Sequence, residues 1–190
     1  MKVIAFCASP RKKGNTEIVL DNVLQVIEDQ GLSTEMVRLA EYRLEPCLGC
    51  DECKQGETCP IQDDLMDLYS RMKQAEGIIM ASPVYFGSAT PPLKVLIDRT
   101  GYIAVHNGYV FKGKAGGPIA VAAREGANFT IAQIAYWYYY NGLTIPGSSS
   151  WNVVFGEEKG DVLKDQHGLE VVKEFGLNLA SIIKKLNGPV

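Results

Sequence analysis

The sequence predicts an α/β protein built on a doubly wound parallel sheet, and two observations carry that expectation. Apolar segments of strand length alternate along the chain with segments of helical periodicity, the pattern of repeated strand–helix units. Those strand segments show little polar alternation, as strands covered on both faces do. With 190 residues, 46% of them hydrophobic, the chain is long enough to bury one sizeable core. Residues 1–190 are therefore read as a single domain, with a cysteine-rich loop inserted at about residues 46–61.

Residues 3–7 read as the first strand, followed by a helix with Ile18, Val19, Val23, Leu24 and Ile27 on one face. Gly31 closes that helix, and residues 34–39 alternate as a second strand. A helix is expected over residues 63–75, opened by acids that suit the positive end of its dipole. Residues 77–82 form a third, buried strand, and Pro91 or Pro92 then starts a helix that runs through Tyr102, since proline fits the first turn. Residues 115–123 read as the fourth strand, 128–141 as a helix stopped by Gly142, 152–155 as a weak fifth strand, and 168–186 as the last helix. In such sheets ligands bind beyond the carboxyl ends of the strands. The loops after strands one, three and four are thus expected to meet at one site.

A formal charge of -3 offers no general attraction to nucleic acid or to an anionic membrane, so neither is expected as a partner. The apolar run at the start is too short for the core of a signal peptide, and no later run is long enough to span a bilayer. A cytoplasmic location is expected, where thiols stay reduced and a disulfide framework is disfavoured.

After strand one comes Ser9-Pro10-Arg11-Lys12-Lys13-Gly14-Asn15-Thr16, in which hydroxyls, an amide, a glycine and three cations precede a helix. Free N–H groups and the dipole at a helix start favour an anion. The loop matches neither a Walker loop nor the glycine pattern of dinucleotide-binding folds. A single terminal phosphate held by Ser9, Arg11, Asn15 and Thr16, with Lys13 nearby, suits flavin mononucleotide, FMN. The plainer alternative is a basic surface turn with Asn15 as helix cap. After strand three, Ser82-Pro83-Val84-Tyr85-Phe86-Gly87 sets backbone donors beside aromatic rings, where a flat flavin ring could lie, though Tyr85 and Phe86 also suit a core. After strand four, Arg124, Glu125 and Gly126 fall at the same edge of the sheet.

Four of the five cysteines, Cys47, Cys50, Cys53 and Cys59, lie within thirteen residues in the pattern C-x2-C-x2-C-x5-C, with Pro60 next. Bacterial ferredoxins use a similar run whose fourth cysteine serves another cluster. Here there is one set, and the longer last gap lets Cys59 return to complete one [4Fe–4S] cube. Zinc, which favours two separated ligand pairs, and cluster-free redox thiols remain as alternatives. Cys7 reads as a small buried residue. His106 and His167 have no nucleophile or metal partner in the sequence, so a hydrolytic triad has no support. Trp137, Tyr138, Tyr139 and Tyr140 cover every side of a helix end, so some of these rings must face outward; the expectation is an association surface, and the alternative a wide core contact plus one surface tyrosine.

The combination of residues 9–16, the compact cysteines at 47–59, residues 82–87 and residues 141–148 resembles the iron–sulfur flavoproteins, a branch of the flavodoxin-like NAD(P)H-dependent FMN reductase superfamily. The resemblance covers nearly the whole chain and implies a five-stranded sheet in the order 2-1-3-4-5. It implies that Ser9, Arg11, Asn15 and Thr16 bind the FMN phosphate, and that Pro83, Val84, Tyr85, Phe86 and Gly87, with Arg124, Glu125 and Gly126, surround the ribityl chain and ring. It implies a homodimer or homotetramer in which the cluster loop of one subunit approaches the flavin of another. The resulting expectation is a redox protein passing electrons between a ferredoxin-like donor, the cluster, FMN and a small-molecule acceptor. The alternatives are a cluster-free NAD(P)H-dependent FMN or quinone reductase, and a non-enzymatic metal-binding or redox-sensing module.

Overall fold

The computed structural model describes residues 1–188. In chain order its main elements are β1 (Lys2–Cys7), α1 (Asn15–Asp29), β2 (Ser33–Arg38), α2 (Leu65–Gln74), β3 (Gly77–Pro83), α3 (Pro91–His106), β4 (Ala115–Ala122), α4 (Ala127–Tyr140), β5 (Val153–Phe155) and α5 (Gln166–Asn187). All five strands pair in parallel, in the order β2-β1-β3-β4-β5. This is the expected flavodoxin-like sheet.

The period-two geometry of β1 divides the core in two. Ile4 and Phe6 point to one face, where they join Leu65, Leu68, Leu93 and Leu96. Val3, Ala5 and Cys7 point to the other, against Val19, Val23, Phe175 and Leu179. Helices α2, α3 and α4 therefore cover one face, and α1 and α5 the other. Each fully buried side chain of this kind contributes about 1.5–3 kcal/mol, so the apolar strands are held mainly by what lies above and below them.

Buried polar groups close the layers. The Tyr138 hydroxyl, fully buried, lies 3.0 Å from the Gly117 carbonyl and 3.1 Å from that of Ile78 and bridges β4 to β3. Burial pushes this phenol well above its ordinary pKa, so it stays a donor. Helix α3 extends further than its sequence pattern indicated, to His106, and its last turns keep Ile103 and Ala104 in the core. Among the described residues no helix is long and apolar enough to cross a membrane.

Candidate functional site

At the carboxyl end of the sheet the ladder hydrogen bonds run on into the loops and bind them together. The Ala8 N–H donates to the Ala81 carbonyl at 2.9 Å, Val84 N–H to the Val121 carbonyl at 2.9 Å, and Gly156 N–H to the Ala122 carbonyl at 2.9 Å. Thr90, the residue before α3, donates its hydroxyl to the Ala8 carbonyl and its N–H to Ser82 Oγ, both at 3.0 Å. Four loops, not three, thus meet at one edge. Together they enclose a cleft of about 230 Å³.

Ser9, Arg11, Asn15 and Thr16 line that cleft with Pro83, Val84 and Tyr85, as the sequence led one to expect. Ser9 and Thr16 are buried, so their hydroxyls face the cleft from the protein wall rather than from solvent. The Arg11 N–H donates to Ser9 Oγ at 3.2 Å, and Gly14 N–H donates to the Arg11 carbonyl at 3.2 Å, which curls the loop. A Cβ on Gly14 would come within 2.9 Å of Arg11 Cβ, so glycine is needed for that curl. Asn15 opens α1, whose first N–H groups have no partner within the helix and carry its positive dipole end. An anion of phosphate size suits this corner.

Asn15 does more than the sequence indicated. Its amide donates to the carbonyls of Glu158 at 2.8 Å and Gly156 at 3.2 Å, and accepts from Gly160 N–H at 2.7 Å. It anchors the loop after β5, which brings Gly156, Glu157 and Lys159 to the cleft. Sequence reasoning missed this fourth loop because β5 is three residues long and its loop carries no glycine-rich signature; its one signal was Gly156 directly after the strand.

The other expected residues lie around the rim. Lys13 has a left-handed backbone and gives its N–H to the Glu17 carboxylate at 2.8 Å, with its side chain exposed outside the lining. Tyr85 and Ser88 exchange backbone hydrogen bonds across Phe86 and Gly87, both at positive φ, in the turn geometry of a tight hairpin. Phe86 is fully exposed at the tip. Arg124 and Glu125 are exposed beside the cleft, and Gly126 packs its backbone onto Gly87, where a Cβ would stand 2.9 Å from Gly87 Cα.

The four cysteines form a second centre. Cys47, Cys50, Cys53 and Cys59 border one small cavity together with Arg99, Tyr102 and Ile103 of α3. Gly49 and Asp51 take positive φ between them, which turns the loop tightly around the cavity. The Asn107 amide donates to the Cys53 carbonyl at 2.8 Å, and Tyr102 donates to Asp51 at 2.9 Å, fixing the loop to α3. Burial pushes the Cys53 thiol up, and the neighbouring Cys59, Cys47 and Cys50 push the same way. Among the described residues no group of three or more His, Cys, Asp or Glu is disposed to hold a single metal ion. Cys7 lies fully buried in β1, away from this loop.

A flavodoxin-like sheet whose loops enclose a cleft at its carboxyl edge is the frame, and the family match that follows makes the chain a flavin-dependent oxidoreductase. Residues 1–158 match the family described as NADPH-dependent FMN reductase. The chain is 36% identical over 191 residues to an iron-sulfur flavoprotein of Methanocaldococcus jannaschii, covering 97% of this chain and 98% of the relative. It is 31% identical over 192 residues to the iron-sulfur flavoprotein of Methanosarcina thermophila, covering 97% and 96%. Among solved structures, RosB with a bound riboflavin-phosphate intermediate superposes with a TM-score of 0.79 at 17% identity, covering 98% of this chain and 80% of that one. A WrbA-like flavodoxin from Agrobacterium tumefaciens superposes with a TM-score of 0.67 at 13% identity, covering 98% of each. The chain belongs to the NADPH-dependent FMN reductase family and, within it, to the iron–sulfur flavoproteins.

Proposed function

We propose that this protein holds FMN in the cleft and a [4Fe–4S] cluster on Cys47, Cys50, Cys53 and Cys59, and exchanges electrons between the two. The observation that carries the reading is that all four cysteines border one cavity in a chain of the FMN reductase family whose sheet-edge loops enclose a second cleft. When bound, these groups supply one- and two-electron exchange.

The chain's own residues supply position. Ser9, Arg11 and Thr16, with the first N–H groups of α1, would hold the FMN phosphate, and Asn15 would keep the Gly156–Gly160 loop closed over it. Pro83, Val84 and Tyr85 would flank the ring, with the backbone of Phe86, Gly87, Arg124, Glu125 and Gly126 as its outer rim. The spacing of the cysteines fits a cluster better than zinc, since three of them follow one another at gaps of two residues in one short loop and zinc favours two separated pairs. The donor in this reading is a ferredoxin-like protein or NAD(P)H, and the acceptor a small molecule. Tyr136, Tyr139 and Tyr140 are exposed around an apolar groove between α3 and α4, which supports a homo-oligomer.

Anaerobic purification followed by iron, acid-labile sulfide and FMN assays on one sample tests the reading. About four irons, four sulfides and one FMN per chain are expected. FMN without iron in an anaerobic sample overturns the cluster half and leaves a flavin reductase.

A further inference from the structure

One side chain at the wall of the cysteine cavity is buried, charged and aimed at a cysteine sulfur. Arg99, on α3, is 2% exposed. Its Nη2 donates to Cys59 Sγ at 3.1 Å and to Asp63 Oδ1 at 3.1 Å. Its Nη1 donates to the Glu45 carbonyl at 2.9 Å and to Asp63 Oδ2. Asp63 is fully buried and also accepts from the Glu45 N–H at 2.8 Å and the Leu65 N–H at 3.2 Å.

Glu45 lies just before the first cysteine of the loop, and Asp63 just after the last. A single guanidinium therefore ties together both ends of the cysteine loop while presenting one N–H to its final sulfur. The planar fork makes these bonds at once, and an ammonium on a flexible stem cannot reproduce them. Stability alone is a weak reason for such a group, because a buried ion pair is often no better than apolar residues of the same volume.

We infer that Arg99 is a positioning residue for Cys59 and raises the reduction potential of the cluster held there. Hydrogen bonds to the sulfurs and local charge are what tune the potentials of iron–sulfur clusters. The N–H that Arg99 donates to Cys59 puts the positive end of the Arg99–Asp63 pair against the sulfur, which stabilises the reduced state, carrying one more negative charge, over the oxidised one. The inference rests on the cluster reading proposed above.

The test uses the full chain loaded anaerobically with iron, sulfide and FMN. Arg99→Lys keeps the charge and loses the fork. Because Arg99→Gln alone would leave the buried Asp63 carboxylate without its counter-charge, the paired change Arg99→Gln with Asp63→Asn keeps the pocket filled, polar and uncharged. Cluster and FMN potentials are measured on the same samples by spectroscopic redox titration, with iron content and thermal midpoint alongside. The expected result is a shift of the cluster to lower potential in both variants, with the FMN potential unmoved. Loss of iron from a variant that keeps its FMN and its thermal midpoint equally supports the positioning role. Wild-type iron content and an unmoved cluster potential in both variants overturn the inference, as does a variant in which both potentials and the thermal midpoint fall together, the mark of a structural role only. Wild-type chain that takes up no iron and sulfide would instead refute the cluster reading itself, so the two failures are distinguishable.

Discussion

Gly160 donates its backbone N–H to Asn15 Oδ1 at 2.7 Å, so the first residue of α1 holds the loop that follows β5, across 145 positions of sequence. The amide nitrogen of Asn15 returns two more bonds to that loop. Each such neutral hydrogen bond is worth about 0.5–1.5 kcal/mol net. Asn15→Ala should therefore weaken FMN binding by about tenfold or more, read by quenching of flavin fluorescence, and should speed amide exchange at Lys159 and Gly160.

Arg11→Ala acts through charge and should behave differently. Its side chain is exposed, so its attraction to a phosphate is screened as ionic strength rises. The loss of FMN affinity should be several-fold at low salt and should shrink toward nothing at 1 M salt, whereas that of Asn15→Ala should persist. Equal salt dependence in both variants would count against the assignment of Arg11 to the phosphate.

Gly126 has φ +82 and its backbone lies against Gly87. Gly126→Ala meets both a left-handed backbone, which costs a residue with a side chain about 1–2 kcal/mol, and a backbone clash at 2.9 Å that no rotamer relieves. Gly108, at φ +85, has open space where its Cβ would stand, so Gly108→Ala meets the first cost only. Calorimetry should show the Gly126 variant losing several degrees more in Tm than the Gly108 variant, together with part of its FMN affinity.

Burial pushes the Glu35 carboxyl up, but hydrogen bonds from Lys2 and Arg71 outweigh burial and hold it below the usual carboxylate value. Its folded pKa is thus lower than its unfolded one, so its contribution is fully present above the unfolded value of about 4.3 and is lost as pH falls through the folded value. Glu35→Gln should cost up to about 1 kcal/mol at pH 7 and progressively less below about pH 4.5. Urea unfolding across that range checks it, and a pH-independent difference would refute the assignment.

Cys7 is fully buried in β1, and burial is the main reason its thiol is pushed up. In metal-free chain at pH 8, iodoacetamide should label the exposed Cys47 and Cys50 readily and Cys7 more than about a hundredfold more slowly, because labelling it requires opening of the sheet. Peptide mass spectrometry reads the order, and denaturant should abolish it.

The strands, their parallel pairing and three of the four cleft loops were legible because each rests on a local rule: apolar runs of strand length, helix starts, and the rule that ligands gather at the carboxyl edge. Ser9, Arg11, Asn15, Thr16, Pro83, Val84 and Tyr85 were found together for that reason. Lys13 and Phe86 share those loops but face outward, because a positive φ at each turns its side chain away from the cleft.

By itself the sequence determined the order of elements, the hydroxyl- and cation-rich start of α1 and the compact grouping of four cysteines, all carried by residues near one another in the chain. Tertiary structure alone decided which distant residues complete these features. Asn15 reaches Gly160, and Arg99 reaches Cys59 and Asp63, through hydrogen bonds across 145, 40 and 36 positions. No local pattern encodes such partners, because they meet only after the packing of helices on both faces of the sheet has set the distance between them.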